Sequence, residues 1–202
     1  MTVRKGSDYG SAGRLPPDAP VVSSDDELRR TVLERRSAQR TPVVIGLIGG
    51  DLCRTLGGSG NRHRLTSSDA VTVPVDLAIA TVDGAEFGFV AHLLAGRPFG
   101  RDFAVAMNAQ WCGELDLGPR SHPGDGLLDV TTGSLPWRQR RLALRRARSG
   151  THLPHPSLHH RRTDNVTLEF DHPVRLLLDG AHQIVGSSIQ IRVEPDAFSV
   201  VI

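Results

Sequence analysis

The chain has 202 residues, of which 39% are hydrophobic and 4% aromatic, and its formal net charge is +2. These values describe one large or two small globular units built on aliphatic side chains, and they exclude a disordered chain or one that needs disulfides to fold. Cys53 and Cys112 form no CxxC or Cys/His ligand spacing, which argues against zinc, and no apolar run approaches the ~20 residues of a membrane span. Two lone cysteines without a secretory segment lead us to expect a cytoplasmic protein, at most peripheral to a membrane.

In chain order, residues 1–22 are rich in Gly, Ser and Pro and read as a loop or extended arm. Ser24-Asp25-Asp26-Glu27 is a capping box that predicts a helix to about Ala38, with Leu28 and Val32 on one face. Val43 to Ile48 is a short apolar run, as in a strand buried on both faces, and Gly49-Gly50-Asp51 opens a short helix after it. From residue 70 the period becomes two. Val71, Val73, Val75, Leu77 and Ile79 predict a strand, Asp83-Gly84 a tight turn, and Phe87 to Val90 the returning strand. Further strands are expected over Phe103–Trp111, Leu127–Thr132, Val166–Phe170, Val174–Leu178, Ile189–Val193 and Phe198–Ile202. Pro136 starts a basic helix that runs to about Arg148.

The pattern is α+β: a short α/β piece over residues 1–60, then an antiparallel β-sandwich-like domain over residues 61–202. Three features could carry chemistry. Gly49-Gly50-Asp51 would let a backbone turn approach a phosphate, although Asp51 could equally be a plain helix cap. Asp125, between Gly124 and Gly126, could join backbone carbonyls around a hard cation or simply form an Asx turn. Arg138 to Arg162 holds eight arginines and no acid, which suits either a solvated face or contact with anionic lipid or phosphate through residues such as Arg141, Arg145 and Arg148. His152, His155, His159 and His160 sit around two prolines and read as a solvated loop.

Taken together, six segments resemble the diacylglycerol kinase family, which includes bacterial lipid kinases and sphingosine kinases. They are Gly46 to Gly57, Pro74-Val75-Asp76-Leu77, Asn108-Ala109-Gln110-Trp111, Pro119-Arg120, Asp125-Gly126-Leu127-Leu128-Asp129 and Leu178-Asp179-Gly180. The resemblance runs from about residue 42 to the C-terminus. It implies an NAD-kinase-like nucleotide domain followed by a β-sandwich, with ATP and Mg²⁺ bound in the cleft and a phosphoryl group passing to a lipid hydroxyl. Carried over by position, it gives Gly49, Gly50 and Asp51 to the nucleotide turn. It gives Asp125, with the carbonyls of His122 and Leu127, to a structural Mg²⁺ site.

The departures from that family are specific. The nucleotide portion is short. The family's G-G-D-G-T turn has Ser23-Ser24-Asp25-Asp26-Glu27 as its nearest counterpart, and its G-T-G-N-D is Leu47-Ile48-Gly49-Gly50-Asp51. A helical insertion expected between Gly96 and Phe103 is missing. The family's D-G-E is Asp179-Gly180-Ala181, so the expected general base is a methyl group, with Asp179 and His182 as the only nearby substitutes. The leading expectation is therefore a degenerate kinase acting as a lipid- or nucleotide-binding or regulatory module. The rivals are an active lipid kinase, completed by an unusual base or by a partner chain or second copy, and a basic nucleic-acid-binding module, which its few aromatics disfavour.

Overall fold

A computed structural model describes residues 9–202; residues 1–8 of the expected arm lie outside the described residues. Two short strands, β1 (Ser11–Ala12) and β2 (Val21–Val22), lead into helix α1 (Asp25–Ser37). Ser24 Oγ accepts the Glu27 N–H at 3.3 Å, and the Glu27 carboxylate returns to the Ser23 N–H at 2.8 Å. Leu28 and Val32 are fully buried, one turn apart.

β3 (Val44–Leu47) is the buried strand expected after Pro42, and it pairs in parallel with β2 and with the end of the last strand. Its two faces have different cover. Val43, Ile45 and Leu47 join Leu28, Val32, Leu52, Val73, Val75 and Phe198 in one core, whereas Val44 and Ile48 pack on Leu65, Ala70 and Val201. Helix α2 (Asp51–Thr55) and a 3₁₀ turn (Arg62–Thr66) follow.

The remainder is β4 (Val71–Val82), β5 (Ala85–Phe89), β6 (His92–Ala95), β7 (Phe103–Met107), β8 (Trp111–Cys112), β9 (Leu115–Asp116), β10 (Leu128–Gly133), α3 (Trp137–Ala147), β11 (Leu158–Thr163), β12 (Asn165–Leu178) and β13 (His182–Val201). Strand order is β1-β4-β13-β12-β6-β7-β10-β11, with β5 on β4 and β3 on β13, in one 11-stranded sheet that folds over itself. Its interior is mainly aliphatic around the fully buried Phe89: Ala78, Ala80, Leu93, Ala95, Ala104, Ala106, Val130, Leu168, Leu176, Leu178, Ile189 and Ile191 close on one another as a β-sandwich. Outside the sandwich, Ala143 and Ala147 of α3 pack on Leu94, Val105 and Met107.

Three expectations change. The strand expected over Phe103–Trp111 ends at Met107, because the Asn108 and Ala109 N–H groups both turn to the Ala91 carbonyl at 2.9 Å. The Asn108 side chain completes that turn by donating to the Asp76 and Val90 carbonyls. The histidine loop is partly strand, since His159 and His160 lie in β11. The last four expected strands are two long ones, β12 and β13, each with one break in register, between Glu169 and Val174 and between Glu194 and Phe198.

Candidate functional site

The glycine turn between β3 and α2 is where a phosphate would be cradled. Gly50 has φ of +93°, a conformation that favours glycine. The space left by the missing side chains is occupied by this chain. A Cβ on Gly49 would collide with the Ser23 carbonyl, and one on Gly50 would stand 2.5 Å from the Asp25 carboxylate. Asp25 accepts the Asp51 N–H at 2.6 Å and the Leu52 N–H at 3.1 Å, so the first amides of α2 already have an anionic partner. Burial pushes the Asp25 carboxyl pKa up, against the pull of those two N–H groups. The glycines therefore serve close packing of the β2–α1 connection.

Asp51 is not the helix cap; Gly50 holds that position and Asp51 is the first helical residue. Its carboxylate crosses to His92 Nε2 at 3.1 Å and accepts the Gly113 N–H at 2.9 and 3.0 Å. Burial raises the Asp51 pKa, but His92 and the Gly113 amide outweigh it and hold the carboxyl below its usual range. His92, at the start of β6, is buried. Burial favours its neutral form, yet Asp51, Cys112 and the charge of Asp179 raise its pKa well above the ordinary value.

Asp179 meets His92 through the backbone. Its carboxylate accepts three successive backbone N–H groups, from Val90 at 2.9 Å, Ala91 at 2.8 Å and His92 at 3.1 Å, while its own N–H donates to the His92 carbonyl at 3.0 Å. Burial pushes its carboxyl up to about 6, against His92 and those amides. Asp179 and Gly180 both have positive φ, +48° and +75°, the geometry of a tight primed turn between β12 and β13. Ala181 follows on the surface and presents only its methyl group. The two substitutes for the missing base do not reach an open site. The Asp179 oxygens are committed to backbone, and the His182 ring packs 5.7 Å from Phe87.

The Asp125 turn is a separate place. Asp125 Oδ1 accepts the Leu127 N–H at 3.0 Å, an Asx turn leading into β10, and its other oxygen pairs with the Arg162 guanidinium. Arg162 also reaches Asp129 at 3.1 Å. The His122 carbonyl accepts the Gly124 and Asp125 N–H groups, and the Tyr9 ring stacks edge-on against the His122 ring at 4.3 Å. Arg162 supplies the positive charge that Mg²⁺ was expected to bring, so the residues as arranged do not fit that ion. Among the described residues, no hydrogen bond or ion pair joins Asp125 to Asp51 or Asp179.

Residues 71–202 match the family described as the YegS C-terminal NAD kinase beta sandwich-like domain. The chain belongs to that family. No curated protein sequence matches it. Three solved structures of Bacillus anthracis strain Sterne proteins assigned as diacylglycerol kinases share its fold, with TM-scores of 0.61, 0.57 and 0.58 at 14, 15 and 14% identity. Each alignment covers 78% of this chain and 69, 66 and 68% of the respective relative, about two thirds of its length.

Within this YegS-like sandwich, the predicted basic residues lie on α3 and, for Arg148, at its C-cap. Arg141, Arg145 and Arg148 are exposed, on the side away from the buried Ala143 and Ala147. Trp137 and Leu142 stand exposed beside them, at 66% and 38%. Arg148 faces Glu114 at 3.7 Å, which leaves Arg141 and Arg145 as the less compensated pair. No helix among the described residues is long and apolar enough to cross a membrane.

Sequence reasoning missed His92 and the use of Asp25 and Asp76. Asp76 is fully buried and accepts the Gly126 N–H at 2.7 Å and the Asp196 N–H at 2.9 Å, tying the Asp125 turn to the break in β13. Its place in a strand of alternating Val and Leu is the available signal: an acid flanked by core residues needs a dedicated set of donors.

Proposed function

We propose that this chain is a catalytically silent relative of the diacylglycerol kinases, a β-sandwich module that docks on anionic lipid through α3. The observation that carries the first half is the Asp25 carboxylate in the glycine turn. Two like charges about 4 Å apart at an effective dielectric of about 20 repel by about 4 kcal/mol, enough to weaken phosphate binding several hundredfold. Ala181 in place of the expected carboxylate supports the same reading, because a methyl group accepts no proton from a lipid hydroxyl.

The second half rests on Arg141 and Arg145 beside exposed Trp137 and Leu142. An arginine near an anionic leaflet contributes about 1 kcal/mol, and tryptophan favours the headgroup region. The test has two arms. Incubation with Mg-ATP and diacylglycerol vesicles is expected to leave the lipid unphosphorylated, and incorporation above a protein-free control would sink the silent reading. In vesicle flotation the chain is expected to bind phosphatidylserine-containing vesicles and not neutral ones. The double variant Arg141→Glu, Arg145→Glu is expected to weaken that binding at least tenfold; unchanged binding would sink the docking reading.

A further inference from the structure

Asp51, His92 and Cys112 come from three elements: the start of α2, the start of β6, and β8 in the small hairpin that covers α2. They offer a carboxylate oxygen, an imidazole nitrogen and a thiol sulfur, one from each, all within 4.8 Å of one another. Asp51 Oδ2 and His92 Nε2 are 3.1 Å apart. Ligand bonds of ~2.0–2.3 Å in a tetrahedron put neighbouring donor atoms ~3.3–3.8 Å apart, so the cluster needs only side-chain adjustment to close on an ion.

We propose that these three residues bind Zn²⁺, with a water molecule in the fourth position. The donor set selects the metal. Mg²⁺ and Ca²⁺ favour all-oxygen shells, whereas a mixed nitrogen, sulfur and oxygen set suits zinc. The setting has the features of a supported site. Asp179 fixes the His92 backbone through both its N–H and its carbonyl. The Gly113 N–H bridges both Asp51 oxygens and orients that carboxylate from the residue next to Cys112. Asp51 is 21% exposed and Cys112 is half-buried, which leaves a solvent-facing side for the water. Binding displaces the proton held between His92 and Asp51 and deprotonates the Cys112 thiol, so affinity rises with pH.

The site departs from the expectation drawn from cysteine spacing, because its ligands share no local motif: Asp51 and His92 are 41 residues apart in the chain. It stands independently of the lipid-docking reading, which concerns α3. A competing set of potential ligands is the histidine-rich segment, which includes the half-buried His155 and the exposed His159.

The metal-free full chain is titrated with Co²⁺ and then with Zn²⁺. Expected are the visible bands of four-coordinate Co²⁺ with a near-ultraviolet sulfur-to-metal charge-transfer band, both abolished by stoichiometric Zn²⁺. Cys112→Ser, a mild change at a half-buried position, removes the charge-transfer band and weakens Zn²⁺ binding at least tenfold while the far-ultraviolet circular dichroism stays native. His155→Ala with His159→Ala leaves both unchanged. The proposal is overturned by absence of Zn²⁺ binding, by the same Co²⁺ spectrum in wild type and Cys112→Ser, or by loss of binding in the histidine double variant.

Discussion

Asp51 and Asp179 both contact His92 and use their carboxylates in opposite ways. Asp179 is buried and gives both oxygens to backbone N–H groups of residues 90–92. Asp51 is partly exposed and faces a side chain, His92, with one backbone N–H steadying it. Burial dominates at Asp179 and pushes its carboxyl up to about 6, whereas specific partners win at Asp51 and hold it low. An acid at a turn is therefore not evidence of chemistry in itself. What matters is whether its oxygens are already committed to the main chain, and in this fold Asp25, Asp76 and Asp179 all are.

The contrast is broken most directly at Asp179. Asp179→Ala leaves three buried N–H groups without an acceptor and is expected to lower unfolding free energy by about 4 kcal/mol, since each unsatisfied buried group costs about 1–3 kcal/mol. Urea denaturation reads this, and a loss under about 1 kcal/mol would show that the clamp is dispensable.

Proton linkage sharpens the same contrast. Asp76 and Asp179 each have a folded pKa of about 6, above the ordinary value of 3.8. The native state therefore holds more protons than the unfolded chain between those values, and stability falls as pH rises through 6. For one such group the loss across that interval is at most about 3 kcal/mol. His92, with its pKa raised, adds in the same direction because its contribution is lost as pH climbs through its folded value. Asp51 and His152 have the opposite sign: the Asp51 contribution is lost in acid, and His152, whose pKa burial lowers to about 4, favours the folded state more as pH rises towards its ordinary 6.5. Denaturation at about pH 5 and about pH 7.5 is expected to find the protein more stable at the lower pH, and Asp76→Asn should shrink the difference. An unchanged difference in Asp76→Asn would mean that burial of Asp76 does not set the pH dependence.

How much of this was legible beforehand follows from the range of the signals. The β half is legible because alternation and the Asp-Gly pairs are local. Asp83-Gly84 and Asp179-Gly180 both adopt the positive φ that such turns demand. The capping box at Ser24 is local too, and it forms. The site is legible only as a set of acids. Nothing around Asp25 indicates that its carboxylate serves an amide 26 residues away. Nothing around His92 marks it as the partner of Asp51, and Arg162 lies 37 residues from Asp125, which it neutralises. The acids can be read in order along the sequence, while their partners are set by tertiary packing.

At the filled turn, Gly50→Ala would place a methyl group 2.5 Å from the Asp25 carboxylate on a backbone with φ of +93°. The strained conformation and the displaced carboxylate together are expected to cost about 2 kcal/mol. Gly57, also at positive φ but with nothing near its missing side chain, separates the two causes. Gly57→Ala carries a conformational cost with no neighbour to displace, and a loss at Gly50 no larger than at Gly57 would show that Asp25 is not tightly seated.

The smallest effect is expected at Ala181. Ala181→Glu introduces the carboxylate that the resemblance to diacylglycerol kinases implies, at an exposed position beside the Gly180 turn. Substitutions of this kind usually change stability by under about 0.5 kcal/mol. If a missing base were the whole defect, this variant would recover lipid phosphorylation by about two to four orders of magnitude over the parent. No recovery is expected, because positioning of the phosphates carries more of such catalysis than the base does, and Asp25 still holds the amides of α2. Phosphate incorporation by Ala181→Glu alone would overturn the assignment of Asp25 as the group that closes the turn, and would make the difference between Asp51 and Asp179 one of degree.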